Sequence, residues 1–200
     1  NNVGMAYILN FSLMRRDEVS RLRDNCFIVE RDSLSENIYL LKGVTSKTIE
    51  DDDARWIVSP SVKVAIEAMR SISYLRLEAG KHNPVIKLYD NEKHNPSLHS
   101  ISLEPWCSSA TNKRRNHSLK QVRSYMEVLQ LWPKLFDEEQ LKINEVDLEI
   151  ANRMTYGLDP DRYAVGKIWP LAWHQLRRTG AVNMLASGLV TEASLQYQLK

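Results

Sequence analysis

The 200-residue sequence predicts an α+β protein, mostly α-helical, with a small three-stranded antiparallel sheet. Residues 3–14 are almost continuously apolar, which is typical of a buried helix. Residues 26–59 contain three short segments rich in β-branched and aromatic residues, and turn signals separate them from what precedes. Beyond residue 60, apolar side chains recur at helical spacing in several segments.

A charged segment follows the first predicted helix. The residues from Arg15 to Arg23 open a second helix, and Glu18 lies three residues after Arg15, within reach of its guanidinium. A surface charge cluster that caps a helix has the same pattern. This segment alone therefore leaves a structural and a functional interpretation open.

The three predicted strands cover residues 26–29, 37–43 and 54–59. The connection between the second and third strands is longer than a tight turn and partly acidic. Lys47 lies in this connection. An exposed lysine at a strand end is the ordinary alternative to a functional role for it.

A helix is predicted after the sheet, because Ser59 is a good N-cap and Pro60 suits the first helical position. An apolar stripe at helical spacing indicates the face that packs into the core. It consists of Val62, Ala65, Ile66, Met69 and Ile72.

The later part of the chain divides by composition. Residues 78–112 are rich in turn signals and indicate a loop-rich surface insertion. Residues 113–155 are predicted to form helices, including one acidic helix over 137–155. Gly188 is suited to end the next helix, and Thr191 to cap the last one.

Composition limits the function classes. The net charge of +2 does not indicate a nucleic-acid partner, so such evidence has to come from local clustering of Lys and Arg. No apolar run reaches membrane-spanning length and no signal-peptide pattern is present, so we expect a cytoplasmic protein without a membrane partner. Cys26 and Cys107 are far apart, which favours reduced thiols. The histidine spacings match no zinc pattern, and we expect no metal.

The segment WPLAWHQLRRTGAV, near the end of the chain, has an unusual helical face. A helix from Trp173 places His174, Arg177, Arg178 and Ala181 on one side. These cationic groups repel one another unless an anion lies between them, and phosphate oxygens suit the planar, forked donors of arginine. A solvated basic face is the alternative interpretation.

A second basic segment covers residues 112–123 and includes Lys113, Arg114 and Arg115. Its charge density, next to Ser and Asn donors, suits contact with a nucleic-acid backbone. The solvated start of a helix would have the same composition.

Taken together and in order, these motifs resemble the catalytic domain of tyrosine recombinases, the phage-integrase family. The family's order is an arginine, a lysine on a hairpin, then His-x-x-Arg. The matching residues here are Arg15 in LMRRDEVSRL, Lys47 in TSKTI, and His174 with Arg177 in HQLRRTGAV. The resemblance implies the DNA breaking-rejoining fold of that family.

The resemblance covers residues 3–77 and 165–200 of what we interpret as a partial catalytic domain spanning residues 1–200. Two features depart from the family pattern. Leu13 stands where the family usually has glycine, and the stretch between the lysine and the histidine is long, with 78–112 as the excess. Lys42 is the rival for the lysine role, but the Ser-Lys-Thr setting of Lys47 is closer to the family's hairpin.

The resemblance also implies residue roles. Arg15 and Arg177 would neutralise the non-bridging oxygens of the scissile phosphate. Lys47 would protonate the leaving 5′-oxygen, and His174 would assist proton transfer or donate a hydrogen bond to the phosphate. The candidates for contacts with the DNA backbone are Arg178, Lys113, Arg114 and Arg115.

The implied function is site-specific DNA recombination or integration, through a covalent tyrosine–DNA intermediate and without a cofactor. Double-stranded DNA and a tetramer in synapsis are the implied partners, and a bacterial or phage origin is implied. The family's nucleophile follows the second arginine by about 30 residues, so we expect it beyond Lys200 and expect this stretch alone to be inactive. Tyr197 is then interpreted as a helix-packing residue.

Three alternatives remain open, and the plainest is a soluble α+β domain whose basic helix has no nucleic-acid role. A type IB topoisomerase relative shares the fold and the catalytic logic, although the spacing around HQLRRT favours a recombinase. A non-catalytic helical module whose arginines only clamp phosphates is the third alternative. A tyrosine encoded shortly after Lys200 would distinguish the catalytic readings from this one.

Overall fold

Three antiparallel strands in the order β1-β2-β3 form the sheet of this protein. They are β1 (Phe27–Arg31), β2 (Asn37–Thr45) and β3 (Asp51–Ile57). The computed structural model describes residues 1–45, 50–107 and 122–199. About half of the chain is helical, which confirms the predicted α+β class and its small sheet.

The helices, in chain order, are as follows. Those before residue 107 are α1 (Asn2–Ser12), α2 (Arg16–Ser20), α3 (Val62–Lys81) and α4 (Asp90–His94). Those after residue 122 are α5 (Tyr125–Leu131), α6 (Glu138–Leu141), α7 (Glu145–Met154), α8 (Trp173–Ala186) and α9 (Glu192–Leu199). Short 3-10 segments lie at Asp24–Cys26 and Pro133–Leu135.

The chain divides into two compact units, residues 1–122 with 174–200 and residues 123–173. The core of the first unit contains the predicted apolar helix α1, through Met5, Ile8 and Leu9, all of them buried. Trp56 of β3 is also completely buried in this unit. In α3 the predicted stripe is buried from Val62 to Met69, whereas Ile72 is only partly buried.

Helix α3 continues to Lys81, four residues into the segment predicted to be a loop-rich insertion from residue 78. The described residues from there to 107 contain one short helix, α4, as their turn signals indicate. This segment is nevertheless tied to the first unit. Leu98 is fully buried, and its backbone N–H donates to the carbonyl of Leu22 at 2.9 Å. Leu103 packs with Leu77 and Ile86 in a small separate cluster.

Two predictions about the sheet and the helix after it need correction. β2 and β3 extend to Thr45 and from Asp51, beyond the predicted ends, because the two strands continue to pair past a register shift, with Thr45 opposite Asp51. Helix α3 begins at Val62 rather than at Pro60, because a turn closed by the Ser59 carbonyl and the Val62 N–H precedes it.

Two helix predictions were also too long. The charged segment after Arg15 forms only the five-residue helix α2. The single acidic helix expected over 137–155 is two helices, because Asn144 starts a new one by exchanging side-chain to backbone hydrogen bonds with Asp147. Gly188 has the expected positive φ of 68°, and Thr191 accepts the expected capping hydrogen bond from Ser194 N–H.

The second unit, 123–173, is held by aromatic contacts. Tyr125 packs edge-on against Trp173 with ring centroids 4.7 Å apart, and the Phe136 ring lies 5.9 Å from that of Tyr125. The indole N–H of Trp173 donates to the carbonyl of Arg123 at 2.7 Å. Tyr163 packs similarly against Trp169.

Candidate functional site: a buried arginine cluster

Arg15 lies at the sharp connection between α1 and α2. The chain leaves α1 through Leu13, which has a left-handed backbone with φ 56° and is completely buried. A non-glycine residue is rarely found in this conformation, which suits glycine best. Leu13, where a glycine was expected from the resemblance, therefore adopts a backbone bend that is unusual for a leucine.

Glu18 holds Arg15 in place. Its carboxylate accepts the backbone N–H of Arg15 at 2.5 Å and Nη1 of the same residue at 3.1 Å. The first bond is half of a capping box and satisfies a donor at the start of α2. The Glu18 side chain is 6% exposed and that of Arg15 is 19% exposed, so this is a largely buried ion pair.

Helix α8 brings Arg177 to the same carboxylate. A Cβ atom on Gly180 would lie 2.4 Å from Cδ2 of Leu13 and 3.1 Å from the Asn10 carbonyl, so glycine allows α8 to contact the end of α1. Arg177 lies about one turn before Gly180 and places Nη1 3.9 Å from Oε2 of Glu18. We call Arg15, Glu18 and Arg177 the arginine cluster.

Helix α9 closes one side of the arginine cluster. The buried amide of Gln198 donates to the carbonyls of Ser12 and Ile57 at 2.8 and 2.9 Å and accepts from Ile57 N–H at 3.1 Å. This arrangement fixes the end of α9 against α1 and β3. The Leu199 carbonyl then accepts a hydrogen bond from Nη2 of Arg177.

The arginine cluster contains two positive charges and one negative charge. Burial lowers the pKa of Arg177, the nearby charge of Arg15 lowers it further, and Glu18 acts in the opposite direction. An arginine remains protonated despite such a shift. Nη1 of Arg177 is buried, and within the described ranges it has no hydrogen-bond partner. A buried, unsatisfied guanidinium nitrogen beside a second guanidinium is suited to an anion.

The other site residues expected from the sequence fall into two groups. His174 and Arg178 are both exposed and flank Arg177 on α8, His174 three residues before it and Arg178 directly after it. Arg177 is the buried member of the three, with an 11% exposed side chain. Lys47 lies outside the described residues, as do Lys113, Arg114 and Arg115.

Lys42 and Tyr197 are two further residues that the sequence raises as candidates. Lys42, the rival for the lysine role, forms an exposed ion pair with Asp53 at 2.9 Å. The interpretation of Tyr197 as a helix-packing residue is wrong, because it is 67% exposed. Leu195 and Gln198 are the buried residues of α9, since they lie on its other side.

Sequence reasoning missed Thr45 and Gln198. Thr45 is buried, and its hydroxyl donates to Oε1 of Glu18 at 2.7 Å. Strand alternation provides a signal for it, because Thr45 follows Leu41 and Gly43 at every second position, and these face the core. Gln198 had no such signal, since its partners are backbone groups distant in sequence.

No group of three or more His, Cys, Asp or Glu side chains in the described ranges is arranged to hold a metal ion. The described helices include none with the length and apolar character needed to cross a membrane. A comparison with models of known protein families gave no match, and a comparison with curated proteins gave none either.

Proposed function

We propose that this chain belongs to the catalytic domain of a tyrosine-type site-specific DNA recombinase or integrase, in which the arginine cluster binds the scissile phosphate. The observation that carries the proposal is the meeting of Arg15 and Arg177, 162 residues apart in sequence, at one buried carboxylate, with Nη1 of Arg177 lacking a hydrogen bond among the described residues.

The charge of the arginine cluster supports phosphate as its ligand. A phosphodiester has two non-bridging oxygens that share one negative charge, and guanidinium groups bind such oxygens through paired, charge-assisted hydrogen bonds. The net charge of the cluster is +1, since two arginines face one glutamate. One bound phosphodiester would therefore neutralise it. The added charge of a pentacovalent transition state would strengthen the contacts during the reaction.

The positions of the cluster residues in the chain also support a recombinase. Arg15 follows an apolar helix, a three-stranded antiparallel sheet comes next, and the His-x-x-Arg helix lies near the end. In this proposal Lys47 donates a proton to the leaving 5′-oxygen, and His174 assists at the phosphate. Arg178, Lys113, Arg114 and Arg115 contact the DNA backbone.

The nucleophile in this proposal is a tyrosine about 30 residues after Arg177, as the family spacing implies. Attack by its phenolate on phosphorus forms a 3′-phosphotyrosine bond and releases the 5′-hydroxyl. The reverse attack by a 5′-hydroxyl reseals the strand and restores the tyrosine. Because the phosphotyrosine bond conserves the energy of the cleaved phosphodiester, the two reactions need no external energy source. The two guanidiniums supply the positive charge, so the proposal needs no metal and no nucleotide cofactor.

A suicide-substrate assay tests the proposal. A nicked duplex, from which the cleaved end diffuses away, is incubated with the protein continued beyond Lys200, and covalent adducts are separated on denaturing gels. We expect an adduct with the intact protein and none with Arg177→Ala. The target duplex is selected from random-sequence DNA by retention on the protein.

The outcomes separate the alternatives. If the protein forms the adduct and relaxes supercoiled DNA but never joins two duplexes, the result would favour a type IB topoisomerase. Specific DNA retention without any adduct would favour a non-catalytic clamp. Neither retention nor an adduct would overturn the proposed function.

A further inference from the structure

Thr45 is a polar residue on the core face of the sheet. It is 2% exposed and lies at the end of β2, two positions after Gly43. The pairing of β2 with β3 is regular up to Gly43 and Ala54, and a register shift follows before Thr45 pairs with Asp51. The extra residue lies in β3, so β2 keeps its alternation and Thr45 faces the core on the same side as Leu41 and Gly43. Here the buried side chain reaches Glu18 of α2.

The contact between Thr45 and Glu18 uses a specific carboxylate oxygen. The Thr45 hydroxyl donates to Oε1 at 2.7 Å, and Nη1 of Arg15 donates to the same oxygen at 3.1 Å. The other oxygen, Oε2, accepts the backbone N–H of Arg15 at 2.5 Å. Three donors from two elements therefore fix both the position and the rotation of the carboxylate.

This fixed rotation controls the distance to Arg177. Oε2 lies 3.9 Å from Nη1 of Arg177, which is too long for a hydrogen bond. Without the Thr45 hydroxyl, Oε1 would keep its bond to Nη1 of Arg15 but lose the donor on β2. The carboxylate could then turn towards Arg177 and form the closer ion pair that the present geometry prevents.

We infer that Thr45 is a positioning residue that holds the Glu18 carboxylate back from Arg177 and so keeps Nη1 of Arg177 available to an anion. The role of this anion site in DNA cleavage rests on the proposed function. The placement of the carboxylate by Thr45 does not, because it follows from the contacts of Thr45, Glu18 and the two arginines alone.

The test compares Thr45→Val, which removes the hydroxyl at nearly constant volume, with Thr45→Ser, which retains it. Ser73→Ala is the matched control, because Ser73 is also buried in the first unit and its hydroxyl donates to the carbonyls of Ser97 and Leu98. The first readout is the Nε–Hε signals of Arg15 and Arg177 in nitrogen-15 NMR spectra. The second is the affinity for inorganic phosphate, measured by calorimetry.

We expect Thr45→Val to shift the signals of both arginines and to weaken phosphate binding about tenfold, the effect of one lost charge-assisted hydrogen bond. Thr45→Ser should restore the spectrum and the affinity, and Ser73→Ala should leave both unchanged. If Thr45→Val does not fold, Thr45→Cys replaces it, since the thiol is a much weaker donor.

Unchanged arginine signals and unchanged phosphate affinity in Thr45→Val would overturn the inference. Equal loss in Thr45→Val and Thr45→Ser would overturn it as well, because the hydroxyl would then not matter. If the unmodified protein binds no phosphate, the proposed anion site fails. The arginine signals alone then decide the role of Thr45.

Discussion

The arginine cluster and the ionic network on the exposed face of the sheet use the same chemical groups in opposite ways. The network, which we define as Lys42, Asp53, Arg55 and Glu30, pairs two cations with two carboxylates, and its side chains are 42 to 52% exposed. The arginine cluster has two cations and one carboxylate, with side chains 6 to 19% exposed.

The difference distinguishes a surface ionic network from a cluster that, under the proposed function, binds phosphate. In the surface network every charge has a partner and solvent screens the pairs, so such pairs contribute little to stability. In the arginine cluster two guanidiniums lie beside one carboxylate where water is largely excluded, and burial of like charges close together is costly. Under the proposed function, a bound phosphate adds the negative charge that offsets this cost.

The largest expected effect is on catalysis. Arg177→Ala in the protein continued beyond Lys200 should reduce covalent adduct formation by about a thousandfold, because it removes a preorganised cation from the transition state. Arg55→Ala, on the surface network, should not change it. DNA affinity should fall less than about tenfold in Arg177→Ala, since many other phosphate contacts remain.

The measurement is the single-turnover rate of adduct formation, with DNA affinity from gel retention at a fixed salt concentration. Strand exchange by Arg177→Ala at the rate of the unmodified protein would remove Arg177 from the reaction.

The next largest effect is on stability. Glu18→Gln removes the negative charge that lies beside two largely buried guanidiniums, and we expect the free energy of unfolding to fall by about 3 kcal/mol. Asp53→Asn, in the surface network, should have a far smaller effect. Urea unfolding of both variants under the same conditions compares them. Equal destabilisation by the two substitutions would erase the distinction between the two regions.

A smaller effect is expected at the contact that brings Arg177 to the cluster. Gly180→Ala would normally favour a helix. Here the added methyl group would meet Leu13 at 2.4 Å, so we expect a loss of about 1–3 kcal/mol and displacement of Arg177. Thr179→Ala on the same helix is the control, because Thr179 is exposed. Stabilisation by Gly180→Ala would contradict this packing.

The smallest expected effect is on the reactivity of the Cys26 thiol, which is buried in its neutral form. Burial raises the pKa of Cys26 to about 12 from its ordinary 9.0, so its thiol should resist iodoacetamide at pH 9 until the protein unfolds. The less buried Cys107 should react first. The pKa of Cys26 is higher in the folded protein than in the unfolded protein. The contribution of its protonated thiol to the free energy of unfolding is therefore complete below pH 9 and is lost as the pH rises towards 12. Mass spectrometry of partially labelled protein shows the order in which the two cysteines react with iodoacetamide.

The sequence predicted those parts of the fold that depend on interactions between residues close in sequence. The apolar run of α1, the three strands and the spacing of Arg15 with Glu18 depend on neighbours within a few residues. The split of the acidic segment at Asn144 was missed, although a capping residue was present, because the two helices have similar composition.

The arginine cluster could be predicted only in part. The proximity of Arg15 and Arg177 was expected from a family resemblance. The packing of α8 against the end of α1 that produces this proximity depends on the close approach of Gly180 to Leu13, which are far apart in sequence. Thr45 and Gln198 act through tertiary hydrogen bonds, which leave no periodicity in the sequence beyond the alternation of β2.

Under the proposed function, Arg15 and Arg177 bind one anion together. Calorimetric titration with inorganic phosphate of the unmodified protein, Arg15→Ala, Arg177→Ala and the double variant tests it directly. We predict that each single substitution abolishes most of the affinity and that the double variant loses little more, because the two side chains share one ligand. Additive losses, or binding unaffected by either substitution, would contradict the claim.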